Sequence, residues 1–539
     1  MNKKLLISAL LLSASAFSQN LIPDLSFGNN GKVQTSFGAD NSILSRIAVQ
    51  PDGKIVACGT YNKEIDTAPY TVNQLALTRY NINGTIDLSF GTNGKIILPI
   101  GSDDSNEHND VKILSNGKIL VMTNRTVNAA PNQQNTDYVL LRFNADGTPD
   151  GGFGTNGMAV ADFDRSDFGR DMELQSDGKI VIAGTSFTYD SNDTDFAVSR
   201  YNSDGSKDLI FGVNGIVRIN FGTSTNSATR TYEDANALKI QPDGKIIIAG
   251  YTSDGMGPER AKFALARLNA DGTLDANFGV NGKAYTNFTA DDEIAESIQL
   301  LPNGKIIACG TMYYNNDDNE KIVVAKYNAN GTLDATFANG GKLITETNNQ
   351  TPENYAFGSH LTGDGKFLIV GGGFNNGILN AFLLQINADG SQDAAFGNNG
   401  FYWIDPQEMA AAKDIIITND GKITLGGVTV TSDGPTGEQF VLWRFIQQTL
   451  VQQDFSKTAF TVSPNPFENI VNVDFKMDQE EFLSFELIDQ TGRKIQQLFS
   501  GHFSIGQNSK QLQMPQLPKG AYFLNISGKQ MSKTIKIIK

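Results

Sequence analysis

The chain has 539 residues, 54 of them Gly, and 43 Lys+Arg against 58 Asp+Glu give a formal net charge of −15. This acidity excludes nucleic acid as a partner, because phosphates need a basic patch; it suits solubility, a cation or a basic partner. Amphipathic runs of helix length are missing beyond the extreme N-terminus, and Gly, Asn and Asp punctuate short apolar runs, so the class predicted is all-β.

Lys3 and Lys4, the apolar stretch Leu5 to Leu12 and small residues through Ser18 read as a signal peptide over residues 1–18, leaving Gln19 near the new terminus. Roughly ten apolar residues are too few for a membrane anchor. The mature chain is expected to carry no transmembrane segment.

Residues 19–446 repeat one phrase. A Phe-Gly marker opens at Phe27, Phe90, Phe153, Phe211, Phe278 and Phe396, with Phe337-Ala338 in the same place. An Asp/Asn-Gly-Lys turn has its glycine at Gly53, Gly117, Gly178, Gly244, Gly304, Gly365 and Gly421. In the first unit, Ile43 to Gln50 is a predicted strand and Pro51-Asp52-Gly53-Lys54 a tight turn. Ile55 to Thr60, Leu75 to Tyr80 and Lys95 to Leu98 supply three more strands. Four short antiparallel strands per ~60 residues make a β-propeller blade. Second strands such as Ile55 to Gly59 are apolar on both sides, which requires cover on both faces.

The array starts with an isolated fourth strand, Lys32 to Phe37, and ends with an isolated third, Val441 to Phe445. Pairing them completes a seventh blade, so a seven-bladed propeller closed by strand exchange is expected, with a linear β-solenoid as the alternative. Cys58 and Cys309 sit at the same place in two non-adjacent repeats, too far apart for a disulfide, and are expected as buried free thiols. The phrases Gln50 to Val56, Arg79-Tyr80-Asn81, Gly84-Thr85 and Phe90-Gly91 through Asn93-Gly94-Lys95 resemble the delta-60 repeat family over about residues 24–445. That resemblance implies a repeat class and no defined activity.

A connector, 447–457, precedes a module over 458–539. Alternation at Val471, Val473 and Phe475, at Phe485 and Leu487, and at Tyr522, Leu524 and Ile526 predicts a small Ig-like β-sandwich. Its Pro464-Asn465-Pro466, Asp489 with Gly492-Arg493, Gly520 with Tyr522, and terminal Lys539 resemble the C-terminal sorting domain of type IX secretion. The resemblance implies a Gram-negative source, the type IX machinery as partner, and a destination at the cell surface or outside it.

Catalytic motifs are thin: there are three His and no nucleophile elbow, His-Glu-x-x-His, Cys-x-x-Cys or Walker loop. The turns Asn81 to Asp87, Asn144 to Asp150 and their equivalents resemble the start of a calcium loop, but Asx-Gly turns need no metal. No cofactor is therefore expected, structural calcium being the alternative. Variable loops on the face away from the Asp-Gly-Lys turns are the expected binding region. Aromatics beyond the second strands, Tyr61, Phe187, Tyr251, Tyr313, Tyr314 and Phe374, form the ligand-binding candidates, with Asp40, Asp103, Asp104, Glu107, Asp167, Glu233, Asp292 and Glu353 around them. They suit a glycan, a peptide or protein, or a cation. The function expected is a secreted or surface binding propeller without catalysis; the alternative is a carboxylate-dependent enzyme acting on polysaccharide or peptide.

Overall fold

The computed structural model describes residues 20–64, 71–99, 108–130, 133–161, 166–187, 193–222, 232–253, 261–313, 319–346, 353–375, 377–406, 408–430, 437–448, 460–477, 480–489, 493–528 and 532–539. The expected signal peptide, Tyr314, Gly492, Asp103, Asp104 and Glu107 lie outside these residues. Among the described residues every regular element is a β-strand, and no helix is long and apolar enough to cross a membrane. Two units are distinct, residues 1–448 and 449–539.

In the first unit the described strands form seven antiparallel sheets. The first runs Ser42–Val49, Ile55–Glu64, Thr71–Tyr80, Lys95–Pro99 in chain order. Five more sheets follow the same neighbour order up to Phe401–Ile404. Their central hairpins outrun the sequence reading: Glu64 stands opposite Thr71, and Ala130 opposite Gln133. Segments expected as variable loops, Asn62 to Gln74 and Asn124 to Asp137, are thus largely ladder, because the backbone groups of a hairpin satisfy each other.

The seventh sheet holds Met409–Ile417, Lys422–Val430 and Glu438–Gln448. Lys32–Thr35 pairs with the last of these, Lys32 opposite Trp443 and Thr35 opposite Phe440. An unpredicted strand, Asn20–Pro23, continues along the same edge, with Asn20 opposite Gln448. Each main apolar cluster of this unit draws on two neighbouring sheets, as Phe263 and Leu265 pack with Ala308 and Val323. Phe440 and Leu442 of the seventh sheet pack in this way with Leu44, Ile47 and Ala57 of the first.

A base before the end of six of the seven third strands pairs with the repeated Asp and also reaches the next repeat. Asp87 takes Arg79 Nε and Lys54 Nζ, each at 2.8 Å. Arg79 stacks over Phe90 at 4.8 Å and donates to the Ala145 carbonyl in the following repeat. Arg142, Arg200, Arg267 and Lys326 likewise donate to Ser203, Ala270, Ala329 and Ala388. Arg444 pairs with Asp24 at 2.8 Å and reaches the Ile82 carbonyl of the first repeat. The Lys118 ammonium, with Arg142, holds the Asp150 carboxyl down at about 2, against burial.

Gln385 breaks this series, and its Oε1 is buried without a partner. The reason is topological: the carbonyl it would reach belongs to a turn that the seventh sheet lacks, since its chain leaves at Gln448 and the pairing strand arrives from Asn20. Arg267→Met should therefore cost about 3 kcal/mol, the lower end for breaking a buried pair, because Lys245 still holds Asp275 at 3.0 Å. Gln385→Met should cost less than about 1 kcal/mol, since it removes an unsatisfied oxygen. Urea unfolding of the two variants checks the contrast; equal losses would deny the relay.

In the second unit, Thr461–Ser463, Ile470–Met477 and Gly506–Gln513 make one sheet, and Lys494–Phe503, Glu481–Ile488, Ala521–Ser527 and Ser532–Ile538 another. Val471, Val473, Phe475, Phe485, Leu487, Leu524 and Ile526 fill their shared core with Tyr522 at its margin, following the predicted alternation. The preceding strand runs to Gln448, two residues into the expected connector.

Candidate binding channel

Six of the seven first strands bulge at one place: between Leu44 and Arg46, Gly169 and Asp171, Ala235 and Ala237, Ala295 and Ser297, Ala356 and Gly358, and Ala412 and Asp414. Opposite them lie Gly59, Gly184, Gly250, Gly310, Gly371 and Gly427, where a Cβ would come within 1.8–2.2 Å of a first-strand carbonyl oxygen. The absent side chain makes room for the extra residue. The second repeat has Thr123 instead, and there Asp110–Ile113 pairs without a register shift. The described ladder of that repeat begins one residue past Asn109, the equivalent position.

A bulge turns a side chain out of the ladder. Ser45, Arg170, Asn236, Glu296, Phe357 and Lys413 all occupy the bulge position, and with Asn109 of the second repeat they line one cavity of about 240 Å³. A second chamber of about 390 Å³ shares Arg46, Glu296 and Phe357 with the first and adds Asp110, Lys112, Asp171, Lys239, His360 and Asp414.

Carboxylates of the larger chamber are occupied by scaffold bonds. Asp110 accepts from Val111 N at 2.7 Å and from Met172 N of the next repeat at 3.0 Å. Asp171 spans the same gap to Leu238 N at 2.7 Å, and Asp414 to Ile47 N at 2.9 Å. Each thereby satisfies a first-strand N–H of the neighbouring repeat. Burial opposes the Asp171 charge, but Lys239, Lys112 and Arg46 override it and lower that pKa. Burial raises Asp110 despite Lys112.

The bulge ring is differently placed. Burial pushes the Glu296 carboxyl up to about 7, though Arg170, Lys413 and Arg46 pull the other way. Arg170 Nε is buried with no hydrogen-bond partner, and the Arg170 guanidinium stands 4.0 Å from Asp234. Lys413 Nζ lies 3.7 Å from the Phe357 ring centroid.

Of the predicted aromatics, two approach this ring. The Tyr313 hydroxyl is pushed up to about 12 by burial and then by the charge of Glu296. Tyr251 donates to Asp234 at 2.8 Å, the carboxylate beside Arg170. The others serve their own surroundings. Buried Tyr61 donates to Asp40 at 2.9 Å, Phe187 packs edge-on against Phe168 at 6.2 Å, and half-buried Phe374 stands opposite Leu379. Among the predicted carboxylates, Asp167 and Glu233 are fully buried rather than facing solvent. Glu233 accepts from Phe221 N at 2.9 Å and Gly222 N at 3.1 Å, and Asp292 from Ala261 N at 2.5 Å.

In the calcium-like turns the central Asx oxygen is used locally, as Asp146 accepts from Thr148 N at 2.9 Å and Thr148 Oγ1 at 2.7 Å. Among the described residues no three His, Cys, Asp or Glu side chains are grouped to hold a metal ion. Cys58 and Cys309 are buried free thiols.

Of the sorting-motif residues, Asn465 bonds the final strand. Asn465 Oδ1 accepts from Ile538 N at 2.8 Å and its Nδ2 donates to Lys536 O at 3.1 Å, in the segment between Pro464 and Pro466. Gly520 and Lys539 exchange backbone bonds at 3.2 and 2.9 Å. Arg493 N donates to Asp489 Oδ1 at 3.0 Å, and Tyr522 OH to Pro518 O at 3.0 Å.

Sequence reasoning missed the bulge ring. Its signal was present: counting eight residues back from each turn glycine gives Ser45, Asn109, Arg170, Asn236, Glu296, Phe357 and Lys413. Those positions vary where their neighbours repeat.

Residues 461–539 match the profile described as secretion system C-terminal sorting domain. Segments 50–90, 114–153, 175–211, 241–278, 301–337 and 362–396 match that described as domain of unknown function (DUF5122) beta-propeller. No curated protein sequence matches the chain. Among solved structures, the polysaccharide lyase Uly1 aligns at 13% identity over 78% of this chain and 91% of its own, with a TM-score of 0.44. The NanB sialidase from Streptococcus pneumoniae aligns at 12% identity over 77% and 69%, with a TM-score of 0.40. Likenesses of this size say nothing of this chain's chemistry.

Proposed function

We infer that this chain, an array of DUF5122 propeller repeats with a sorting tail that sends it through type IX secretion to the cell surface or extracellular space, is a non-catalytic binding protein. In this reading residues 19–446 are a seven-bladed wheel, the N-terminal strands Asn20–Pro23 and Lys32–Thr35 complete its last blade, and 458–539 is an Ig-like sandwich reached by a short connector. Residues 1–18 are a leader removed on export.

One observation carries the binding reading. The features shared between repeats, among them the Asp–base latches, the turn Asx groups and the bulge glycines, are engaged in scaffold contacts. The side chains at the bulge position and its equivalent Asn109 are of six kinds in seven repeats and line a single cavity. A scaffold position has no need of Arg, Glu, Lys, Phe, Ser and Asn in turn, whereas a site for an asymmetric ligand does. Tyr251 and Tyr313 serve as the rim; Tyr61, Phe187, Phe374 and Tyr314 are weaker contributors. Calcium has no part in this reading, because the turn oxygens already accept hydrogen bonds.

Glycan and protein arrays probed with the secreted chain test the proposal. Retention of a ligand class that Glu296→Gln or Arg170→Gln alters is expected; retention of nothing would overturn it. A carboxylate-dependent enzyme is favoured by one feature, the half-buried Glu296 with its pKa near 7. Turnover of a retained glycan or peptide, lost in Glu296→Gln, would establish that second reading instead.

A further inference from the structure

Resting on that binding reading, we propose that the bulge ring is a seat for a sugar acid, its carboxylate held between Arg170 and Lys413 and its hydroxyls by the polar side chains around them. Three observations converge on this class. First, Arg46, Arg170 and Lys413 face the smaller chamber against a single carboxylate, Glu296. Asp234 stands 4.0 Å from Arg170, and Asp414, Asp110 and Asp171 act on Arg46, so the three cations offer an anion seat by their position in a mixed-charge wall.

Second, Arg170 is short of acceptors. Its Nε is buried without a partner and the pair with Asp234 is long at 4.0 Å, so the fork that would bind a carboxylate in two-pronged fashion is not used up within the protein. A buried donor without an acceptor calls for an explanation, and an anionic ligand supplies one. Third, the chamber volume of about 240 Å³ lies below the ~300–1,000 Å³ typical of larger ligands. A single hexose-sized unit fits that space. Asn109, Asn236 and Ser45 complete a polar wall, in which the Asn109 and Asn236 amides donate to Thr60 Oγ1 at 3.0 Å and Ala295 O at 3.1 Å. Glu296 shares the cations, so it competes with the incoming carboxylate.

The test is calorimetric titration of the full chain with D-glucuronate and with glucose, its neutral counterpart. Glucuronate should bind with a Kd of about 1 mM or tighter and glucose at least ~10-fold more weakly. Arg170→Gln and Lys413→Gln should each weaken glucuronate by ~10-fold or more, whereas Glu296→Gln should leave it unchanged or tighten it. Arg170→Gln gives up the 4.0 Å pair with Asp234 and Lys413→Gln the contact with the Phe357 ring, so a native melting curve is required of each variant before its affinity is read. Equal binding of the two sugars, no uptake of glucuronate at about 10 mM, or indifference to both Arg170→Gln and Lys413→Gln would overturn the proposal. Retention of a neutral glycan or a protein in the arrays alongside such a result would discard the sugar-acid class and leave the binding function standing.

Discussion

A chain lacking residues 20–35 is expected to lose its cooperative unfolding transition and to aggregate. Leu21 and Phe27 are 6% and 0% exposed, and burying each contributes about 2–3 kcal/mol. The deletion also removes Asp24 from Arg444, which is 4% exposed and stacks over Phe27 at 4.2 Å. An orphaned buried charge costs about 3–5 kcal/mol. Together these losses are on the order of 7–11 kcal/mol, comparable with the entire net stability of a typical domain, about 5–15 kcal/mol. The outer edge of Glu438–Gln448 would also be left unpaired, a template for strand addition. Urea unfolding followed by near-UV circular dichroism gives the readout. A truncated chain that keeps the midpoint and slope of the full one would refute this role for the N-terminal strands.

Gly310→Ala is expected to destabilise by about 3 kcal/mol or more. Its new methyl would lie 1.8 Å from Ile294 O and 2.9 Å from Ala295 Cα, both backbone atoms that no rotamer change can move aside. Relief requires the bulge at Ala295/Ser297 to shift, and Glu296 with it. The same change should therefore alter ligand retention even in the fraction that stays folded. Gly363→Ala makes the control, since nothing lies within 4 Å of a Cβ there. Equal stability of the two variants would contradict the pairing of glycine with bulge.

Much of the fold was legible because its signals are local. The Asp-Gly-Lys turns place Gly53 and its equivalents at positive φ, 83° at Gly53, a conformation that a side chain resists. Second strands such as Ile55 to Gly59 announce cover on both faces by their composition alone. The ends of the array were legible too, because Lys32–Thr35 and Glu438–Gln448 each lack a partner that the other supplies. Hairpin lengths were not, since polar residues such as Asn62 and Asn124 read as loop but continue the ladder once a partner lies alongside.

The candidate channel was hidden for a different reason. It depends on a bulge, the bulge on a glycine in the neighbouring strand, and the ring on side chains roughly 60 residues apart in sequence. Tyr61 and Tyr251 illustrate the opposite error. An aromatic at a strand end suggests a platform, yet their hydroxyls are spent on Asp40 and Asp234. Among the described aromatics named from the sequence, Tyr251 and Tyr313 stand near the charges of the ring.

Everything functional here presumes that Asn20–Pro23 pairs with Glu438–Gln448 to complete the last sheet. An Ile22→Cys/Ile446→Cys chain measures this directly, because those residues are partners in adjacent strands and opposed Cα atoms lie about 4.5–5.5 Å apart, within disulfide reach. Oxidation should form the bond in the folded protein, detected as a mobility shift reversed by reductant, with a higher melting temperature. Two thiols that stay free in the native state and fully open to alkylation would contradict the account.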